Sequence, residues 1–374
     1  MYDSSLNYAV ILAGGRGERF WPLSRTSRPK QFVEIFGGVP LLRIAAERLA
    51  GVVPPERVLV ITSADLVGRS REALPEIPPE NIVGEPFGRD TAAACALGTE
   101  LVAALVRRQS GGADPARARV AILTADQLMA DVPAFRRTLA NAFFFADAQP
   151  VIVTMGITPT RISTAFGYIE ADAPIVKGVP EGTSFRKAVR FVEKPDAETA
   201  AMYLATGRYF WNAGMFIWSV ATFRDALVRY RPQLADAMSA LVPSIGTPEF
   251  APALARVYGG LEKISVDYAI MEHATNIVMA EGDFGWDDVG SWTALADHFP
   301  ADASGNVALG KAEILDGRDN IVVGDDGHVV ALFGVDDLVV VHTPDATLVC
   351  PKSRAQRLKD LVRRLQDSQP GVVE

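Results

Sequence analysis

The stretch YAVILAGGRG at Tyr8–Gly17 constrains this chain more than any other. An unbroken apolar run suits a strand buried on both faces, and the glycines after it free the backbone for a tight turn. From there to Lys30 the chain carries Arg16, Arg19, Arg25, Arg28 and Lys30, opposed only by Glu18. Glycine backbone can wrap closely around a phosphate while arginine and lysine neutralise its charge. The chain as a whole has a formal charge of -8. A positive loop in an acidic protein points to a confined anionic ligand and away from a nucleic-acid polymer.

The same strand-then-turn pattern returns along the chain. LLRIAAERLAG has helical spacing and a glycine stop, and RVLVITSADL reads as a second strand. A helix is expected over Thr91–Arg108, a strand over Arg119–Leu123, a helix at AFRRTLANAFFFA and a buried strand at Pro150–Ile157. This alternation predicts an α/β sheet. Ile162–Ala221 is richer in turns and short strand candidates, including GYIEA, KAVRFVEK and AGMFIWSV, and reads as the part that walls and closes a cleft, while Thr222–Met279 reads as largely helical. From Asn306 short apolar runs alternate with DGRDN, GDDGH and FGVDD, which suggests a small β unit of stacked coils. AQRLKDLVRRLQD closes the chain as an amphipathic helix, expected to pack on its own domain or on a partner subunit.

With 374 residues, 49% of them hydrophobic, the chain can bury a large core beside a smaller unit. No apolar span approaches the roughly 20 residues that cross a bilayer, and no basic targeting segment precedes the first apolar run. A cytoplasmic location without membrane association is the expectation. Two cysteines, Cys95 and Cys350, exclude a dense disulfide scaffold and read as unlinked thiols.

Chemistry concentrates in a few places. Gly14, Gly15 and Gly17 offer backbone donors to phosphate oxygens, and Arg19 and Lys30 could stabilise charge in phosphoryl or nucleotidyl transfer. Neither the GxxxxGK[ST] loop nor a complete GxGxxG fingerprint is present. Asp126, beyond the strand in VAILTADQ, and Asp288, in GWDDVGSW, could converge on a hard divalent cation; taken singly, each also suits a cap or turn acceptor. Spacing does not separate Asp288 from Asp287. In FVEKP, Glu193 could accept from sugar hydroxyls and Lys194 could pair with a sugar phosphate, or the two could form a surface ion pair. Asn212 and Gly214 in YFWNAGMFIW could extend a sugar pocket or sit among core aromatics.

Together LAGGRGERFWPLSRTSRPKQF, EPFGRDTAAA, LTADQ, FVEKP, WNAGMFIW, SVDYAIME and WDDVGSW resemble, in order, the motifs of nucleotide-sugar pyrophosphorylases, and most closely those of the mannose-1-phosphate guanylyltransferase family. The resemblance implies a Rossmann-like nucleotidyltransferase domain with a mixed central sheet over residues 1–300. A short left-handed β-helix and terminal helix would follow over 301–374. It implies attack of mannose 1-phosphate on the α-phosphorus of GTP, assisted by Mg2+, giving GDP-mannose and diphosphate.

By the same resemblance Arg19, Lys30, Asp126 and Asp288 are catalytic, and Asp126 and Asp288 hold the metal. Leu12, Gly14, Gly15, Gly17, Gly88, Arg89, Thr91 and Ala92 would surround the nucleotide, and Gly167, Glu193, Lys194, Asn212 and Gly214 the sugar. The aspartate preceding Val-Gly in the family motif corresponds to Asp288. Three positions depart from the family pattern: Asp90 for the commoner asparagine, Ala93 for proline and Gln127 for histidine. Asp90 exchanges an amide donor for an acceptor-only carboxylate and bears on base preference. A second sugar-1-phosphate nucleotidyltransferase specificity, or a noncatalytic nucleotide-sugar-binding regulator, are the competing functions. No isomerase domain follows Glu374, and the four histidines form no recognised local metal motif, so neither isomerase activity nor zinc is expected. The terminal β unit and helix could support a homodimer.

Overall fold

The computed structural model describes residues 2–15, 17–109, 112–325 and 327–374; Arg16 of the basic loop and Asp326 of the GDDGH turn lie outside them. The chain condenses into two compact units, neither continuous in sequence. The first is Met1–Gly14, Ala45–Ala125 and Met129–Trp286, and the second is Gly15–Ile44, Asp126–Leu128 and Asp287–Glu374. Compactness thus groups the glycine-rich loop with the C-terminal residues, a partnership that a linear boundary at residue 300 cannot express.

In chain order the strands of the first unit are β1 (Asn7–Ala13), β2 (Val58–Ser63), β3 (Ile82–Glu85) and β4 (Arg119–Thr124). After the two-residue β5 (Leu128–Met129) come β6 (Ile152–Ile157), β7 (Tyr168–Pro174), β8 (Phe185–Val192), β9 (Tyr209–Ser219) and β10 (Ile277–Gly282). With β5 aside they form a nine-stranded sheet ordered β3-β2-β1-β4-β9-β6-β10-β8-β7, and β9 also pairs with β7. β1 is parallel to β2 and β4, and β2 is parallel to β3, so their carboxyl ends share one edge. The apolar β1 run is buried because both of its edges and both of its faces are covered.

β9 is antiparallel to both β4 and β6 and lies in the middle of this sheet. The segment read as a cleft wall therefore supplies three of the nine strands. The strand expected at AGMFIWSV is thus found, longer than its apolar run, and most of YFWNAGMFIWS is buried as a mid-sheet strand requires.

The helices α1 (Leu41–Glu47), α2 (Val67–Ala73), α3 (Thr91–Gln109), α4 (Val132–Ala148) and α5 (Ala197–Thr206) fall singly between strands, and α6 (Val220–Tyr230), α7 (Pro232–Leu241) and α8 (Phe250–Gly259) run consecutively between β9 and β10. Their starts are chemically marked. Asp131 caps α4 through Ala134 N at 2.8 Å, Asp196 caps α5 through Thr199 N at 2.8 Å and Ser219 caps α6 through Thr222 N at 3.1 Å. α3 is buried from Ala92 to Val106, which its small alanine side chains permit on all sides.

β11 (Trp286–Asp287) follows, and the strands of the second unit are β12 (Val307–Leu309), β13 (Ala312–Leu315), β14 (Ile321–Val323), β15 (Val330–Phe333), β16 (Leu338–Thr343) and β17 (Ala346–Pro351). β12, β14 and β16 pair in parallel, as do β13 and β15, so successive coils stack in the manner of a β-helix. Two buried asparagines bind the coils together. Asn306 Oδ1 accepts from Asn320 N at 2.9 Å, and Asn320 Oδ1 accepts from Leu338 N at 3.0 Å. The terminal helix α9 (Leu358–Ser368) buries Leu358 and Val362 in the core of this unit with Phe20, Trp21 and Trp292. Trp21 is fixed there by its Nε1 bond to Val372 O at 2.9 Å and by Trp292 Nε1 donating to its carbonyl at 3.1 Å.

Candidate active site

Within the second unit a cavity of about 460 Å³ is lined by Gly17, Arg19, Phe20, Lys30, Asp126 and Asp288, with Lys359 from α9. Lys30 is its centre. The side chain is 8% exposed, and its Nζ donates to Asp126 Oδ2 at 3.0 Å and to the Asp288 carbonyl at 2.7 Å. Asp126 is 40% exposed, so the ion pair has one buried and one open partner. Nζ also stands 5.8 Å from the centre of the Phe20 ring, within cation–π range. A buried ammonium held by one carboxylate and one carbonyl is positioned for anionic oxygens entering from the cavity.

The adjacent acids divide their work. Asp287 accepts from Val289 N at 2.6 Å and pairs with His298 Nε2 at 2.9 Å, whereas Asp288 lines the cavity. Val289 is buried with φ 45, a left-handed conformation that is costly for a β-branched residue and is pinned by the Asp287 contact. The Asp126 and Asp288 carboxylates fit a hard cation such as Mg2+, since both supply oxygen donors to one cavity. Among the described residues no group of three or more His, Cys, Asp or Glu side chains is assembled for a metal. On such a cation two carboxylates would leave room for phosphate and water oxygens.

In the first unit, Leu12, the next-to-last residue of β1, accepts from Ala125 N at 3.1 Å, ahead of Gly14. The turn containing Gly88 leads into α3, where Asp90, at φ 67, caps Thr91 N at 2.8 Å. Asp90 at this position thus does the backbone work of a left-handed cap. Thr91 Oγ1 accepts from Val266 N at 2.9 Å. Arg89 ties this turn to the end of α8: Nε donates to Tyr258 O at 2.7 Å and Nη2 to Gly259 O at 3.0 Å. Ala92 is buried and lines a separate cavity of about 420 Å³ with Leu234 and Ile264.

The sugar candidates gather around β7 and β9. Asn212 N donates to Gly167 O at 2.8 Å, and a Cβ on Gly167 would meet Glu193 Oε2 at 2.4 Å. Glycine is needed there for the carboxylate to approach. Lys194, 60% exposed, pairs with Glu193. The Asn212 amide is held at both ends, Nδ2 donating to Asp267 Oδ1 at 2.8 Å and Oδ1 accepting from Gly214 N at 3.1 Å. Burial pushes the Asp267 carboxyl up to about 6, and the Glu193 charge adds to the rise. Gly214 takes φ 68, which this return hydrogen bond exploits.

Asp267, Lys359 and the His298 partner of Asp287 escaped sequence reading. Asp267 stands inside the quoted SVDYAIME motif, and its place at the head of a π-helical turn, Asp267–Met271, is the local signal. Lys359 carries no signal beyond membership of an amphipathic helix.

Residues 8–305 match the Nucleotidyl transferase family model, and residues 310–365 match the MannoseP isomerase/GMP-like beta-helix domain. The protein is thus a nucleotidyltransferase. It is 37% identical over 365 residues to mannose-1-phosphate guanylyltransferase of Escherichia coli (strain K12), covering 96% of this chain and 73% of that protein. The Klebsiella pneumoniae enzyme of the same name is 36% identical over 363 residues, at 96% and 74% coverage. A Thermus thermophilus crystal structure described as mannose-1-phosphate geranyltransferase matches with TM-score 0.84 and 37% identity, covering 96% of this chain and 99% of that one. The chain belongs to the mannose-1-phosphate guanylyltransferase family. Among the described residues no helix is long and apolar enough to cross a membrane.

Proposed function

We propose that the chain catalyses α-D-mannose 1-phosphate + GTP = GDP-mannose + diphosphate. A phosphate oxygen of the sugar phosphate attacks the α-phosphorus of GTP, and the bond to the bridging oxygen of the β-phosphate breaks as diphosphate leaves. The nucleophile is already anionic, so no strong protein base is required. The observation that carries this reading is Lys30, a buried ammonium bound to Asp126 and to the Asp288 carbonyl beside an open polar cavity. Its charge offsets the negative charge of the reacting phosphates, with Arg19 as a second cation on the same cavity.

Asp126 and Asp288 would hold Mg2+, which when bound supplies Lewis-acid neutralisation of phosphate charge. Glu193 accepts from sugar hydroxyls, Lys194 contacts the sugar phosphate, and Gly167, Asn212 and Gly214 shape that pocket. Leu12, Gly14, Gly15, Gly17 and the Gly88–Ala92 turn serve the nucleotide, the role of Arg89 being to hold the turn to the end of α8. Residues 1–300 form the catalytic domain of this reading and 301–374 the β-helix unit, a division supported by family matches that end at 305 and resume at 310.

The test is Mg2+-dependent diphosphate release across GTP, ATP, UTP and dTTP with mannose 1-phosphate or glucose 1-phosphate. Preference for GTP with mannose 1-phosphate is expected. Another productive pair reassigns the specificity, and saturable nucleotide-sugar binding without diphosphate release replaces the enzyme with a binding protein.

A further inference from the structure

The cavity around Lys30 takes one of its cations from a distant part of the chain. Lys359 lines it from the first turn of α9, together with Arg19 and Lys30 of the basic loop. Lys30 is engaged by Asp126 and by the Asp288 carbonyl. Arg19 and Lys359 are exposed, and neither has an ion-pair partner among the described residues.

The place of Lys359 runs against the electrostatics of its own helix. α9 begins at Leu358, and a cation in the first turn faces the positive end of the helix dipole. Asp360 is paired with Arg357 at 3.2 Å and does not relieve it. Packing holds the lysine there. Leu358 before it and Val362 a turn later are each 3% exposed, in a core that includes Phe20, and Phe20 also lines the cavity. Beyond α9, Val372 O accepts from Trp21 Nε1 at 2.9 Å and Val373 O from Thr26 N at 2.9 Å, so the segment that carries Lys359 is tied to the basic loop. An unpaired ammonium kept at an unfavourable helix end, beside a polar cavity with two further cations, is suited to an anion that enters the cavity.

A nucleoside triphosphate brings more negative charge than Lys30, already shared with Asp126, can offset. When the bond from the α-phosphorus to the bridging oxygen breaks, its electron pair goes to the diphosphate and no proton moves. The new charge calls for a cation that is not already paired. Lys30 is fixed between Asp126 and Asp288, which suits it to the reacting phosphate. Lys359, exposed on a flexible four-carbon stem, can follow a group that departs.

We propose that Lys359 is a catalytic residue that binds the β- and γ-phosphates of GTP and takes up the charge of the departing diphosphate, so that the terminal helix supplies part of the transferase site. This rests on the guanylyl-transfer reading and adds a leaving-group contact to it.

The reverse reaction isolates that contact. There an oxygen of diphosphate attacks the α-phosphorus of GDP-mannose and mannose 1-phosphate leaves, so GDP-mannose carries the reacting and sugar phosphates without the β- and γ-phosphates of GTP. In Lys359→Ala the KM for diphosphate should rise by about 5- to 20-fold, between the worth of an exposed ion pair and that of a hydrogen bond to a charged group, while the KM for GDP-mannose stays within about twofold of wild type. Calorimetric binding of inorganic diphosphate to the full chain with Mg2+ should weaken by the same factor. Lys359→Arg should recover most of both, and the melting temperature should not change. Unchanged diphosphate affinity in the folded variant, or an equal rise in both KM values, overturns the proposal and leaves the transferase reading standing. Diphosphate binding that depends on Lys359 in a wild type that turns over no substrate pair upholds the contact and overturns the transferase reading instead.

Discussion

A Cβ placed on Gly17 would stand 2.1 Å from Lys30 Cβ, so the glycine turn and the lysine occupy each other's space. Gly17 also takes φ 61, where an L side chain is strained. Gly17→Ala should therefore displace Lys30 as well as strain the turn. We expect a stability loss of about 2 kcal/mol or more by urea titration, together with a fall in kcat/KM. A variant with both unchanged would show that Lys30 tolerates the displacement.

Lys30→Met keeps most of the stem and removes the charge. Asp126 is open enough to be solvated when its partner is lost. The expected result is a 100- to 1000-fold drop in kcat, on the order found when one donor to developing charge is removed, with a small change in melting temperature. Normal turnover by the folded variant would remove Lys30 from the reaction.

Asp287 and Asp288 should fail in different ways. Asp288→Asn should raise the Mg2+ concentration for half-maximal turnover by about tenfold or more, with the fold intact. Asp287→Ala frees the strained Val289 turn and the His298 contact, and should cost about 1–3 kcal/mol with the Mg2+ response unchanged. Mg2+ titrations and thermal melts of both variants separate the two; a shifted Mg2+ response in Asp287→Ala alone would exchange their roles.

The contrast between these neighbours shows what local sequence could convey. Strand β1, helices α3 and α4 and the terminal helix follow from apolar periodicity and caps, because those signals act within a few residues. Gly17 and Lys30 fall in one legible loop. That Asp287 answers to His298 and Asp126 to Lys30 depends on contacts between residues far apart in the chain, or on which way a turn faces, and no spacing rule contains that. β9 was legible in part: AGMFIWSV reads as a short strand, but nothing local places it in mid-sheet or extends it back to Tyr209, and its polar Asn212 is intelligible only beside Asp267, far along the chain.

Lys194 is mostly exposed and bonded to Glu193, so its removal disturbs little packing. Lys194→Ala should raise the KM for mannose 1-phosphate by about tenfold while leaving the KM for GTP and the melting temperature near wild type. Initial-rate kinetics with each substrate varied in turn check this. An unchanged sugar-phosphate KM reduces the pair to a surface salt bridge.

Asp267 makes stability depend on pH in a defined direction. Its carboxyl titrates near 3.8 when unfolded and is raised to about 6 in the fold, because burial and then the Glu193 charge disfavour the ionised form. The folded protein therefore binds more protons than the unfolded chain between these values. This contribution to stability is fully present below about pH 4 and is lost as pH rises through about 6, amounting to at most about 3 kcal/mol. Asp267→Asn can still accept the Asn212 amide through its own carbonyl, and it carries no charge to desolvate. Glu85, raised to about 7, titrates in both proteins and cancels in the difference. Urea unfolding at pH 4.5, 5.5, 6.5 and 7.5 should show the variant gaining on wild type across this range by up to that amount. A difference that stays constant with pH would mean that Asp267 ionises in the fold as freely as in the unfolded chain.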